Sequence, residues 1–249
     1  IAFGMTFVVL TGGIDLSVGS TLALTGAVAA SLLASGTDPI IAMGAALILG
    51  LILGAINGVI ITKGKVAPFI ATLATMTIYR GLTLVYTEGK PVSGLGDSLT
   101  FQMFGKGYLL GIPVPVVTTI LAFIILYFIL HKTTFGRRVY AVGGNEDASK
   151  LSGINTDRVK IWVYAITGLL ASVSALILTS RLNSAQPTAG ESYELDAIAA
   201  VVLGGTSLTG GRGWIFGTLV GVLIIGVLNN GMNLIGVSSF FQQVVKGAV

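Results

Sequence analysis

The chain has 249 residues, of which 53% are hydrophobic and only 10% charged, and its mean hydropathy is +0.92. A soluble domain carries roughly 25% charged residues, so a water-soluble globule is excluded and the apolar runs must serve a bilayer. The net charge of +4 gathers in a few connections, which speaks against nucleic acid as a partner, and the absence of Cys excludes disulfides and thiolate metal sites.

A helix needs about 20 apolar residues to span a membrane. The chain opens at Ile1 without an initiator Met and stops at Val249 inside an apolar pattern. The expectation is a single transmembrane domain over residues 1–249, truncated at both ends, with a signal peptide or amino-terminal helix missing. Its first landmark is Val8-Val9-Leu10-Thr11-Gly12-Gly13-Ile14-Asp15-Leu16-Ser17-Val18-Gly19. Helix interiors disfavour Gly by roughly 1 kcal/mol relative to Ala, and broken backbone in a bilayer needs shielding by protein or cavity water. The glycine pair therefore predicts a break, after which a new helix covers the short stretch Thr21–Ser35. Asp15, Ser17 and Ser20 lie in that break. An acid near membrane depth is functional by default, although a capping position at the cytoplasmic edge is the other reading of Asp15.

Ile40–Thr62 and Val66–Tyr86 are long enough to span, separated by the basic link Lys63–Lys65. Gly50, Gly54 and Gly58 share one helical face, as small residues do where helices approach closely. Arg80, late in its span near Tyr79 and Tyr86, is expected to snorkel to the outer interface. Ile112–Leu130 is the next span. It is followed by His131–Lys160, which holds Lys132, Arg137, Arg138, Lys150, Arg158 and Lys160, six of the fourteen basic residues. Cytoplasmic connections are rich in Lys and Arg, so both basic connections are placed inside. Thr87–Gly111 is then outside, with Glu88 and Asp97 balancing Lys90 and Lys106.

Within residues 131–160, Asn145 is a candidate cap for a short helix from Glu146 to about Ser152, ended by Gly153 at the C′ position. Ala148 and Leu151 share a face of that helix and form a small apolar knob among charges. A helix offered in this way suits a groove on a cytoplasmic partner.

Ile161–Ser180 is a span, whereas Ala197–Leu203 rises only about 10 Å and reads as a half-helix with Asp196 as its N-cap. The second landmark follows: Val201-Val202-Leu203-Gly204-Gly205-Thr206-Ser207-Leu208-Thr209-Gly210-Gly211. Gly12, Gly13, Leu16 and Gly19 match Gly204, Gly205, Leu208 and Gly211 at a constant offset of 192, with Ser17 opposite Thr209 and a one-residue gap before the flanking Val-Val-Leu. Ser207 and Thr209 precede the span Trp214–Leu228, where Gly217 and Gly221 repeat the small-residue spacing. Asn57-Gly58 with Val66–Phe69 resembles Asn230-Gly231 with Val237–Phe240 at a shorter offset. The second half thus lacks about one helix, which inverts the later part of the repeat. Glycine interruptions paired in two halves point to a transport pathway, so Gly12, Gly13, Asp15, Ser17, Gly204, Gly205, Ser207 and Thr209 are candidates for its lining or hinge. In all, the pattern predicts an all-α polytopic bundle of about eight or nine membrane segments.

Four blocks carry a family resemblance: Gly12–Ser20, Gly143–Ile154, Ser184–Gly213 and Asn229–Ser239. Through them the chain resembles the permease subunits of bacterial ABC sugar importers, most like those for ribose. The resemblance implies a ten-helix homodimer in the bacterial inner membrane, working with a cytoplasmic ATPase and an external sugar-binding protein. It implies that Glu146–Gly153 is the coupling helix, with Asn145, Glu146, Ala148, Leu151, Ser152 and Gly153 facing the ATPase. Family members often carry Glu-Ala-Ala, three residues, then Gly; here Glu146-Asp147-Ala148 is followed by four residues before Gly153, so the match is positional. The chain has no phosphate loop of the form G-x-x-x-x-G-K-[ST], so no cofactor is expected on it and ATP-Mg belongs to the partner. An ion-coupled secondary sugar transporter is the alternative, and it predicts several buried acids or His where only Asp15 is a good candidate. An intramembrane enzyme finds no nucleophile, metal cluster or paired Asp motif.

Overall fold

A computed structural model describes residues 1–96 and 98–248, so Asp97 lies outside the described residues. The element order is α1 (Ala2–Leu10), α2 (Val18–Ala34), α3 (Pro39–Lys63), α4 (Pro68–Thr87), β1 (Val92–Ser93), α5 (Leu99–Lys106), β2 (Tyr108–Leu109) and β3 (Ile112–Pro113). It continues with α6 (Val114–Lys132), α7 (Thr134–Gly144), α8 (Glu146–Leu151), α9 (Thr156–Leu182), β4 (Ser184–Ala185), α10 (Tyr193–Leu203), α11 (Ile215–Leu234) and α12 (Ser239–Ala248). Among the described residues α3, α4, α6, α9 and α11 are long and apolar enough to cross a membrane, and α2 is a shorter apolar helix. The chain is an all-α polytopic bundle.

Local chemistry sets the helix starts. Asp38 accepts the Ile40 amide at 2.8 Å ahead of Pro39, and Asn155 accepts the Arg158 amide at 2.9 Å. Pro68 opens α4 at a position that needs no amide donor.

The centre of the bundle is the antiparallel pair α3 and α9. Gly50 lies against Gly168 and Ser172, Gly54 against the Tyr164 carbonyl, and Gly58 against Ile161. A Cβ at any of the three would strike the facing helix, so the glycine stripe is a seam inside the bundle. Gly217 and Gly221 do the same for α11 against Gly204 and Ala200 of α10.

The two basic connections lie at one end, since Lys63, the last residue of α3, pairs with Asp157 of α9 at 2.8 Å. The opposite end is tied by an antiparallel ladder in which Val92 faces Ala185 and Ser93 faces Ser184. From that ladder, residues 185–190 descend along α2 without helix, from the cluster holding Ala30 and Leu33 to Gly19, which touches Gly190. The segment is a run of turns, in which the Ala189 amide donates to the Gln186 carbonyl at 3.0 Å and the Glu191 amide to the Thr188 carbonyl at 3.3 Å. Non-helical backbone needs internal partners in a bilayer, and Arg80 supplies them. Its Nη1 donates to the Pro187 carbonyl at 2.6 Å and the Ala189 carbonyl at 2.9 Å. The expectation that Arg80 snorkels outward is therefore corrected: this half-buried side chain is a clamp on the descending segment.

Candidate coupling and hinge site

The two glycine breaks are built alike. Thr11 ends α1, Gly12 follows at φ +74, and the Gly12 and Gly13 amides donate to the Val9 and Val8 carbonyls. Gly204 ends α10, Gly205 follows at φ +84, and the Gly205 and Thr206 amides donate to the Val202 and Val201 carbonyls. Each is a Schellman stop, in which a left-handed C′ glycine lets two amides satisfy otherwise free carbonyls. Gly12 thus corresponds to Gly205, not to Gly204 as the constant offset suggested. The one-residue gap falls after the stop, because only the C′ residue needs the left-handed conformation.

The match resumes in the turns that follow. Asp15 Oδ1 accepts the Ser17 amide at 2.9 Å and the Ser17 hydroxyl at 2.7 Å. Ser207 Oγ accepts the Thr209 amide at 3.3 Å, and the Ser207 and Thr209 hydroxyls pair at 2.8 Å. The capping expectation for Asp196 is corrected here, and the short polar residues of the two breaks serve their turns. Ser207 and Thr209 do not cap α11, which starts at Ile215 after Trp214. Ser17 occupies the N-cap of α2 but spends its hydroxyl on Asp15. Asp196 lies in the first turn of α10, behind the left-handed Ser192 that precedes it. Helix α10 thus starts three residues before Asp196, and α11 starts six residues after Thr209.

Asp15 is buried in the half of the bundle nearer the basic connections. Asn57 Nδ2 donates to Ser17 Oγ at 2.7 Å, and Asn57 stands six residues, about 9 Å, from the end of α3. The Thr72 and Tyr164 hydroxyls both donate to the Ile14 carbonyl, at 3.2 Å and 3.3 Å. Three helices thereby fix the break.

Both breaks converge on one place. The Gly211 amide donates to the Leu10 carbonyl at 2.9 Å, and the Thr6 and Thr218 hydroxyls meet at 2.7 Å. A Cβ at Gly210 would lie 2.9 Å from both the Gly12 nitrogen and the Gly143 oxygen. One at Gly143 would lie 2.6 Å from the Gly211 nitrogen and strike the Leu10 carbonyl. The third party is the end of α7, whose Gly143 and Gly144 seat directly on the breaks. Tyr140 reinforces the seat, donating to the Gly213 carbonyl at 2.7 Å. The breaks therefore meet through backbone. Ile1 and Ala2 share a cavity wall with Tyr193 and Asp196, while Leu10 lies beside Gly211 beyond the other end of α10. The two short helices run the same way, so the repeat is parallel here.

Helix α8 follows at once. Asn145 Oδ1 accepts the Ala148 amide at 2.9 Å. The Gly153 and Ile154 amides close a further Schellman stop on the Lys150 and Ser149 carbonyls, with Gly153 at φ +81. Ala148 and Ser152 are exposed, and Leu151 is 90% exposed. The knob therefore points away from the chain. Glu146 anchors the helix from beneath, accepting Lys160 of α9 at 2.5 Å and Lys150 at 3.1 Å. None of the α8 residues touches the breaks; α7 stands between them. Sequence reasoning missed α7, although Gly143-Gly144 carries the same double-glycine signal that marked the breaks.

Burial raises the Glu146 carboxyl, but hydrogen bonds from Lys160 and Lys150 outweigh it and hold it below the usual glutamate range. A carboxylate depressed in the folded state stabilises above its unfolded pKa and loses that contribution as pH falls through the folded value. The anchor therefore holds at neutral pH and is released only below the ordinary value of 4.5. Glu146→Gln should free α8 at pH 7, raising amide hydrogen exchange across Glu146–Leu151 roughly tenfold or less, as for a partly exposed pair. Unchanged exchange would mean that the cap alone holds the helix.

Residues 1–249 match the protein family described as branched-chain amino acid transport system / permease component. The chain is 68% identical to the ribose import permease protein RbsC of Bacillus subtilis, over all of this chain and 77% of the relative. It is 57% identical to the Escherichia coli K12 protein of the same name, over all of this chain and 78% of that relative. It is 42% identical to the D-allose transport system permease protein AlsC of Escherichia coli, over all of this chain and 76% of that relative. No solved structure matches. A match across the whole chain, joined to spanning helices and identities of this size, makes the chain a member of this family of membrane permease components.

Proposed function

We propose that the chain is the membrane-spanning subunit of an ATP-driven importer that brings a monosaccharide, ribose in the first instance, through the bacterial inner membrane by alternating access. Two copies of the permease pair across the pathway. An ATPase chain docks below on α8, and an external sugar-binding protein delivers the sugar above. The chain binds no cofactor, and ATP-Mg stays on the ATPase. It is accordingly a transport subunit and not an enzyme.

One observation carries the mechanism: Gly143-Gly144, immediately before the α8 cap, bears on both glycine breaks at once. Force on α8 passes along two routes, through α7 to the breaks and through Glu146 and Lys160 to α9. Small residues at the breaks leave room for the backbone to change course, as hinge segments do. The substrate reading rests on similarity to the ribose import permeases. The ion-coupled alternative finds only one buried carboxylate among the described residues, Asp15.

Copurification tests the whole reading. An ATPase and a sugar-binding protein should come down with the permease, and ribose, rather than allose or xylose, should stimulate hydrolysis in the assembly. Stimulation by another sugar would reassign the cargo, and a permease that imports without an ATPase would refute the reading. Asp15 has its own test. Asp15→Ala should lower uptake about tenfold by removing the acceptor that holds Ser17, a loss of roughly 1–2 kcal/mol. Asp15→Asn keeps that acceptor, so normal uptake in it makes Asp15 a turn-former, and impaired uptake makes its charge part of the pathway.

A further inference from the structure

Beside α8, at the cytoplasmic boundary, lies a cavity of about 420 Å³ lined by Phe135, Arg138, Gly153, Asn155, Arg158 and Trp162. Its charge is one-sided. Of the acids on α8 and the start of α9, Asp157 is held by Lys63 and Glu146 by Lys150 and Lys160, while Asp147 is exposed on α8 outside the cavity lining. No acid lines the cavity, and among the described residues neither Arg138 nor Arg158 has an ion pair or a side-chain hydrogen bond. Two unneutralised guanidiniums from two helices therefore face one concave space.

The depth of the cavity identifies its occupant. Trp162 stands six residues into α9, about 9 Å from the helix start, and is 56% exposed. Exposed Trp beside Arg on the basic side marks the level of lipid headgroups. Phe135 and Trp162 give the cavity an apolar wall toward the bilayer, while the arginines hold its polar end. Basic pockets between helices on the cytoplasmic side suit anionic headgroups, and guanidinium forks match phosphate oxygens in pairs.

We propose that this cavity is a binding site for the phosphodiester of an anionic phospholipid, with Arg138 and Arg158 on the phosphate and Trp162 against the glycerol and upper acyl chain. The lipid would bridge α7 and α9, the two helices that carry force away from α8, so its occupancy would stiffen that route. The assignment is independent of the sugar carried.

The test uses the full permease in detergent micelles, titrated with phosphatidylglycerol or phosphatidylcholine bearing brominated acyl chains, which quench tryptophan emission. The component removed by Trp162→Phe reports this site. It should be quenched at roughly thirtyfold lower phosphatidylglycerol than phosphatidylcholine, since each of the two arginines contributes about fivefold near an anionic lipid surface. Arg138→Gln with Arg158→Gln should abolish the preference. The charge-keeping pair Arg138→Lys with Arg158→Lys should retain it, which separates loss of charge from loss of fold. Equal quenching by the two lipids, or a preference that survives the Gln pair or is lost in the Lys pair, would overturn the proposal. So would displacement by inorganic phosphate alone, which would make this a free-anion site, or loss of quenching when the ATPase binds, which would make it a seat for that partner.

Discussion

Leu151→Asp is expected to reduce sugar uptake to background while the permease stays inserted at its normal level. The physical case rests on exposure: Leu151 is 90% exposed, so the change removes almost no contact within the chain. What it removes is the apolar tip of α8, a helix held rigidly by the Asn145 cap, the stop at Gly153 and the Glu146 pairs. A central apolar anchor in a protein interface is worth about 2–4 kcal/mol, roughly 30-fold to 1000-fold in affinity, and a buried Asp adds a desolvation cost. Uptake in intact cells and copurification of the ATPase should therefore fall together. Normal uptake in this variant would remove α8 from the coupling interface.

Gly143→Ala should be nearly as severe, for a different reason. Its Cβ would strike the Leu10 carbonyl and come within 2.6 Å of the Gly211 nitrogen, both fixed backbone atoms. Overpacking of this kind costs about 1–3 kcal/mol, and here the strain falls on the junction between α7 and the breaks. The expected result is at least a tenfold loss of uptake while ATPase binding persists, since α8 itself is untouched. The control is Gly144→Ala, where a Cβ meets open space; it should transport normally. If Gly143→Ala transports as well as this control, the seat of α7 on the breaks plays no part in coupling.

The two variants probe features that were legible to different degrees. The knob at Leu151 could be read directly, because a cap at Asn145, a stop at Gly153 and an i, i+3 apolar pair are all local. The breaks were legible as breaks, yet their pairing was read one residue off at Gly204, since sequence identity of glycines does not say which one is left-handed. Arg80 was misread because an arginine late in a span has the same local context whether it reaches solvent or the carbonyls of Pro187 and Ala189. Tyr164 and Thr72 gave no signal at all, and Asn57 was legible only as part of a repeated Asn-Gly block; each serves the first break from another helix, 40 or more positions away.

The sequence by itself determined that this is a membrane bundle, where most of its helices start and stop, that its basic connections gather at one end, and that two glycine stops repeat. Those properties follow from hydropathy, capping and charge, which act over a few residues or against the bilayer. Only the tertiary structure decided that the two stops touch each other and that the end of α7 rests on both. A glycine pair announces that some backbone comes close, but the partner is chosen by the packing of whole helices, and no local pattern encodes it.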